Sequence, residues 1–286
     1  MKRILIQFDT DPQPSVFDRV VAVDADVDHL FSYGGVSSEN VESLVHGAMF
    51  TRGPKELQNT AIFIGGSDVA AGEKLLKKVE KTFFGPVRVS VMMDSNGSNT
   101  TAAAAVLSAR KHLELKDCIA LVLAGTGPVG QRAAQILASE GAHVRVASRS
   151  QDKAEKTCEA IRAVTKSEHL TAYGTSSREE LLEACRHVQL IIAAGAAGVE
   201  LLPADVRKTL GGLNVAIDLN AVPPAGIGGI EVMDKGTERN GVICYGAIGV
   251  GGRKMKIHKA AVKSLFERND QILDTDAIYQ LGLQLN

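Results

Sequence analysis

The chain has 286 residues, room for one large domain or two ordinary ones, with 45% hydrophobic and 23% charged residues. A formal net charge of -1, 4% aromatic residues and no tryptophan exclude the basic, stacking surfaces of nucleic-acid and anionic-membrane binders. No apolar run reaches about 18 residues, Met1–Phe8 is too short for a signal peptide, and Cys118, Cys158, Cys185 and Cys244 lack metal or disulfide spacing, so the expectation is a cytoplasmic enzyme with reduced thiols.

Strand-like and helix-like segments alternate along the chain. Arg3–Phe8 predicts a strand, a helix follows from Val16, and beyond a turn-rich patch a second helix covers Glu39–Met49. Thr60–Gly65 has the pattern of a buried strand, Asp68–Phe83 of an amphipathic helix, and Val87–Met92 of another strand. The polar run Asp94–Thr101 caps an alanine-rich helix, Ala102–Leu113, which reads as a connector between two lobes. Strands are then predicted at Ile119–Ala124, His143–Ala147, His169–Tyr173, Val188–Ala193 and Asn214–Leu219, with helices between most of them and a last strand at Gly241–Tyr245. A helix from Arg253 to about Arg268 crosses back, and a final helix, Asp274–Leu285, docks on the first lobe.

The strongest local signal is the apolar run Ile119–Ala124 ending in Gly125-Thr126-Gly127-Pro128-Val129-Gly130, with an amphipathic helix starting at once. In that setting G-x-G-x-x-G marks a dinucleotide site: one glycine for the turn, one for close approach of a pyrophosphate, one for helix packing. The helix N-terminus adds open N–H groups and a positive dipole end. A carboxylate normally follows the second strand to bind the ribose of NAD, yet here that strand runs into Ser148-Arg149-Ser150, with Lys153 close behind. Guanidinium, hydroxyl and ammonium donors suit the 2′-phosphate of NADP, although Arg149 and Lys153 also read as solvated loop and helix residues. Ala194, Gly195 and Asn220 end later strands, where they border a nicotinamide ribose or simply make tight turns. The architecture expected is α/β and two-lobed: a Rossmann-type NADP-binding domain plus an α/β substrate domain completed by the C-terminal helix. Its boundaries are 1–98 with 268–286 for the substrate domain, 99–116 and 253–267 for connecting helices, and 117–252 for the cofactor domain.

Asp9, Thr10, Asp11, Pro14, Ser15, Phe17 and Asp18 lie just past the first strand. Ser15 and Asp18 form a near capping box, while Asp9 and Asp11 are carboxylates that capping leaves unexplained and that suit a nitrogen-rich ring. Asp94, Ser95, Asn96, Gly97, Ser98, Asn99 and Thr100 supply more donors than a cap requires. Arg253, Lys254, Lys256 and His258 follow the glycine-rich run 246–252, with Lys254 and His258 four apart on one helical face; a solvated basic helix start fits equally well. The other histidines are dispersed, so no metal is expected.

Taken together, Gln7–Asp11, Pro14–Asp18, Phe84-Gly-Pro86, Asp94–Ala104, Leu123–Gly130, Glu200-Leu-Leu-Pro203 and Gly226–Ile230 resemble the bacterial NAD(P)-dependent methylene-tetrahydromethanopterin dehydrogenases, over almost the whole chain. The resemblance implies oxidation of methylene- to methenyl-tetrahydromethanopterin in formaldehyde oxidation, in a cleft between a pterin-binding and a cofactor-binding domain. It implies NADP as cofactor, with NAD as a second candidate, held by Gly125–Gly130, Ser148, Arg149 and Lys153. It places the pterin on Asp9–Asp18 and Asp94–Thr100, with Lys256 beside them. Lys254 matches a lysine near the reacting centre, and its expected role is orientation, not acid or base. It also implies a homo-oligomer, a trimer being one candidate. Rival readings are a methylene-tetrahydrofolate dehydrogenase and a non-catalytic NADPH-binding sensor. The shikimate dehydrogenase type shares the architecture but none of its substrate signatures occur here.

Overall fold

The computed structural model describes residues 1–285. Two compact units are present: Met1–Thr100 together with the chain from Met255 onward, and Thr101–Lys254.

The first unit opens with β1 (Ile4–Asp9), α1 (Val16–Asp24), β2 (His29–Tyr33), α2 (Glu42–Phe50), β3 (Thr60–Gly65), α3 (Val69–Thr82) and β4 (Ser90–Met93). Helix α4 (Ser98–Ala109) leads into the second unit. There β5 (Ile119–Leu123), α5 (Pro128–Ser139), β6 (His143–Ser148), α6 (Gln151–Thr165) and β7 (Leu170–Gly174) form one run. The chain continues through α7 (Arg178–Ala184), β8 (Leu190–Ala193), α8 (Ala204–Thr209), β9 (Val215–Asp218), β10 (Lys235–Arg239) and β11 (Val242–Tyr245). Helix α9 (Ala247–Ser264) returns it to the first unit, which β12 (Ile272–Leu273) and α10 (Thr275–Gln284) complete.

The first sheet has the order β12-β4-β3-β1-β2 and is parallel throughout. The second has the order β10-β11-β9-β8-β5-β6-β7, antiparallel only between β10 and β11. Helices on both faces of a parallel sheet leave the inner strands no polar side, and all residues of β3, β4, β8 and β9 are buried. Chain direction reverses between β1 and β3 in one sheet and between β5 and β8 in the other. Crevices outside the carboxyl ends of such strands are where open α/β sheets bind ligands.

Phe8, Met49, Leu57, Ile62 and Leu75 belong to the first core, and Leu121, Ile191, Val206, Ile227 and Cys244 to the second. The alanine run of α4 is explained by its burial, since Ala102–Leu107 are at most 1% exposed. All four cysteines are buried free thiols, and burial pushes Cys118 and Cys185 up to about 11, which leaves them inert near neutrality. None of the described helices is long and apolar enough to cross a membrane.

Four elements differ from the sequence-based expectation. β2 lies in the patch read as turns, and β10 and β12 were not predicted; each is a sheet edge, short or polar enough to lack a buried-strand signature. Helix α9 starts at Ala247, well before Arg253, so the glycine-rich run is helical. Gly249 is required there by contact, because a Cβ would stand 1.7 Å from the Asp234 carbonyl oxygen.

Candidate active site

The turn after β5 is tight. Ala124 takes a positive φ of 52°, Gly127 N–H donates to Ala124 O (3.0 Å) and Gly125 N–H to Ala147 O (2.8 Å). A Cβ on Gly125 would meet Val146 Cγ1 at 2.8 Å and Val122 O at 2.9 Å, and one on Gly130 would meet Ala124 O at 2.8 Å. These two glycines are required by packing. Gly127 is not: a Cβ there would find only ordinary contacts, 3.4 Å to Ala124 O and 3.7 Å to Ala194 O. Gly127 is also the N-cap of α5, with no side chain on the helix's first N–H groups and Pro128 in its first turn. Uncapped donors at a helix N-terminus are a ready anion site.

Beside this turn lies a cavity of about 490 Å³, lined by Ala124, Thr126, Ser148, Arg149, Ser150, Lys153, Thr175, Gly195, Ala196, Val199 and Leu201. Its lining holds two cations and no carboxylate. Arg149 and Lys153 are exposed, whereas Ser148 is buried, its hydroxyl accepting from Ser150 N–H (3.3 Å) and standing 3.5 Å from Thr126 Oγ1. Ser150 caps α6 by accepting from Lys153 N–H, which holds the Lys153 backbone at the pocket edge. Among the predicted residues Thr126, Ser148, Arg149, Lys153 and Gly195 line the cavity, with Ala194 joining Gly195 to β8.

Asn220 is committed elsewhere. Its Nδ2 donates to Pro224 O (2.9 Å) and its Oδ1 accepts from Val222 N–H (3.0 Å), so both ends of the amide hold the loop after β9. Buried Asp218 anchors the same loop, accepting from Asn220 N–H (3.0 Å) and Ile227 N–H (3.1 Å). Burial raises its pKa above the ordinary aspartate value, against the lowering effect of those N–H groups.

In the first unit, the carboxylates after β1 divide into two kinds. Asp9 is fully buried and saturated, accepting from Asp11 N–H (2.9 Å), Ser15 N–H (3.0 Å) and Gln7 Nε2 (3.3 Å). Asp11 and Asp18 are half-buried; Asp11 accepts from Ser67 N–H and Oγ, tying the β1 and β3 loops together. Ser15 caps α1 through Asp18 N–H, Thr10 and Pro14 are half-buried, and Phe17 is 49% exposed.

The run after β4 is mostly internal. Asp94 accepts from Asn99 N–H (2.8 Å), Thr100 N–H (3.1 Å) and Thr100 Oγ1 (2.6 Å). Asn99 donates to Met93 O and accepts from Thr275 Oγ1 on α10; Ser95 donates to Gly65 O and Ser98 to Ser95 O. Of this run only Asn96 is exposed, with Gly97 half-buried. On α9, Lys254 is half-buried in the second unit, while Lys256 is exposed and His258 buried in the first. The His258 ring stacks on Phe63 (5.6 Å between centroids) and lies 6.2 Å from Phe17, with Nδ1 3.9 Å from Asp94 Oδ2. No group of three or more potential metal ligands occurs among the described residues.

Sequence reasoning missed Ser150, Thr175, Ala196, Val199 and Leu201 as cavity residues. Thr175 follows β7 directly, its N–H donating to Ser148 O (3.0 Å), so strand adjacency is what places it. The Gly198 turn (φ 74°) brings Leu201 to the cavity and had no distinguishing signal beyond its glycine.

A family model described as methylene-tetrahydromethanopterin dehydrogenase, N-terminal, matches residues 16–96. The chain is 46% identical over 286 residues to the Bifunctional protein MdtA of Methylorubrum extorquens, with 99% of each chain covered. It is 32% identical over 281 residues to the NAD(P)-dependent methylenetetrahydromethanopterin dehydrogenase of the same organism, covering 95% of this chain and 94% of that one. Solved structures share the fold at low identity. Shikimate 5-dehydrogenase from Listeria monocytogenes, in complex with shikimate and NAD, matches with TM-score 0.54 and 15% identity over 98% of this chain and 96% of that one. Quinate dehydrogenase from Corynebacterium glutamicum in complex with NAD matches with TM-score 0.53 and 12% identity over 99% of both. The two-lobed α/β architecture with a Rossmann-type domain, read from the sequence, is the one these comparisons show.

Proposed function

Because the chain belongs to the methylenetetrahydromethanopterin dehydrogenase family, we propose that it moves a hydride from methylene-tetrahydromethanopterin to NADP, leaving the methenyl form. The observation that carries the choice of NADP is the cavity beside β6, cationic and free of carboxylates, with Ser148, Arg149, Ser150 and Lys153 around it. The glycine turn and the uncapped start of α5 would hold the pyrophosphate, and the four side chains the 2′-phosphate. Bound there, the cofactor supplies the hydride acceptor. NAD would keep the pyrophosphate contacts and lose only those to the 2′-phosphate, so it remains a weaker alternative.

For the pterin we assign the rim of the first unit: Asp11 and Asp18 as acceptors for ring N–H groups and Phe17 as an apolar face. Asp9 and Asp94 are proposed to position that rim, since their carboxylates already serve backbone donors. The substrate carbon lies between two nitrogens whose lone pairs expel the hydride, and the cation formed is delocalised over N–C–N. No proton has to move. The residues therefore act by orienting donor against acceptor, roughly 3–3.5 Å apart, and by excluding water. A cation beside a developing positive carbon would oppose hydride loss, so Lys254 is assigned to orienting the pterin.

Initial rates with NADP and NAD, on the native chain and on Arg149→Ala, test this reading. The variant is expected to lose about 10- to 100-fold in kcat/KM for NADP, the size of one or two charge-assisted hydrogen bonds, and little for NAD. Equal losses with both cofactors would remove the 2′-phosphate assignment. In the same assay Lys254→Ala should raise the pterin KM without a new pH dependence; rescue by small amines would instead indicate proton transfer. Methylene-tetrahydrofolate is included as a second carrier because the 46% identical relative is named bifunctional.

A further inference from the structure

The two sheets have four edges, and three carry a device against pairing with another chain. β12 is only two residues long. β10 is charged, with Lys235, Glu238 and Arg239, and carries a bulge between Lys235 and Thr237. β7 has its outer carbonyls occupied: Gln151 Nε2 donates to Ala172 O (3.2 Å) and Arg162 Nη2 to Leu170 O (2.6 Å). Short, charged, bulged or covered edges resist association. The fourth edge, β2, is His29-Leu30-Phe31-Ser32-Tyr33, without lysine, proline, bulge or cover. Phe31 is 48% and Tyr33 42% exposed.

We propose that β2 is an interface with a second copy of this chain, the two strands pairing antiparallel about Phe31 to make one continuous ten-stranded sheet. The backbone is set for it. His29 N–H donates to Arg3 O (3.1 Å), so in this parallel pairing His29, Phe31 and Tyr33 bond inward to β1 and Leu30 and Ser32 point their N–H and C=O outward. Among the described residues nothing bonds to those outward groups. A two-fold axis at Phe31 then places Leu30 opposite the partner's Ser32 as hydrogen-bonded pairs and Phe31 opposite itself as a non-hydrogen-bonded pair.

The side chains match under the same operation. His29, Phe31 and Tyr33 share one face, so the ladder across the interface is His29 against Tyr33, Phe31 against Phe31, and Tyr33 against His29. Aromatic cross-strand pairs of this kind stabilise antiparallel sheets, and no like charges meet. On the other face, Arg19 Nε donates to Ser32 Oγ (3.1 Å), which places α1 over the β2 side. The two-fold brings each α1, with exposed Val16, Val20 and Val23, alongside its counterpart. These valines and the β2 side chains expose on the order of 500 Å² per copy, most of the roughly 800 Å² each partner contributes to a stable interface. An isologous contact of this type uses both open edges and closes on itself.

Light scattering on the intact chain and two variants tests the interface. The native chain is expected to contain an even number of copies. Phe31→Lys should halve the mass while leaving dinucleotide binding within about twofold of native. Phe31→Cys should cross-link into pairs on mild oxidation, because the two Cα atoms lie about 4.5 Å apart in a non-hydrogen-bonded pair. Phe50→Cys, equally exposed at the end of α2, is the control and should not. A monomeric or three-copy native chain, a Phe31→Lys variant of unchanged mass, or a Phe31→Cys variant that stays uncross-linked overturns the proposal.

Discussion

The carboxyl ends of the two parallel sheets carry similar residue types and use them differently. At the second sheet, Arg149 and Lys153 stand exposed at the cavity and the first N–H groups of α5 have no side-chain cap. At the first sheet, Asp9 and Asp94 are buried and each accepts three hydrogen bonds, mostly from the backbone that follows it. One end keeps polar groups open to a ligand; the other uses most of them to shape a rim on which few remain open. A carboxylate near a ligand site is therefore as often scaffold as contact. Its burial and its N–H partners decide which.

Replacing Asp94 is the largest test of that contrast. Asp94→Ala strands two buried N–H groups and a buried hydroxyl, and should destabilise the fold by roughly 3 kcal/mol or more, read by urea denaturation. A variant of native stability with a raised pterin KM would move Asp94 from scaffold to contact. The glycine turn offers a smaller test within one motif. Gly125→Ala forces a Cβ onto Val146 and the Val122 carbonyl and should cost about 1–3 kcal/mol of stability. Gly127→Ala should leave stability within about 0.5 kcal/mol of native while weakening the dinucleotide. Similar stability losses for both would mean that Gly127, too, is only structural.

The smallest effect is a pH slope. Burial raises the Asp218 pKa, so its contribution to stability is full below the unfolded value and is lost as pH rises through the folded one. Asp218→Asn cannot titrate. Thermal midpoints between pH 4 and 7 should show the native chain's advantage over this variant shrinking as pH rises. An advantage that grows with pH would reverse the assigned direction.

What was legible in the sequence was local. The turn Gly125–Gly130 could be read because its three glycines answer to contacts within one strand, turn and helix. The alternation of elements was readable because inner strands are continuous apolar runs. The edges were not: β2, β10 and β12 are short or half-exposed, and their pairing comes from the sheet, not from their own pattern. Gly246–Gly252 reads as a loop by composition, yet it begins α9 because Gly249 packs against the Asp234 carbonyl, a contact no local rule anticipates.

By itself, then, the sequence determined the two-lobed α/β architecture, the family and the dinucleotide turn, since each rests on periodicity or on motifs read along the chain. Only the tertiary structure decided which polar residues face a ligand. Asp9, Asp94 and Asn220 were drawn inward because a buried N–H or C=O left without a partner costs more than any gain from leaving those side chains free. Arg149 and Lys153 stayed outside because a guanidinium or ammonium without a carboxylate partner is too costly to bury.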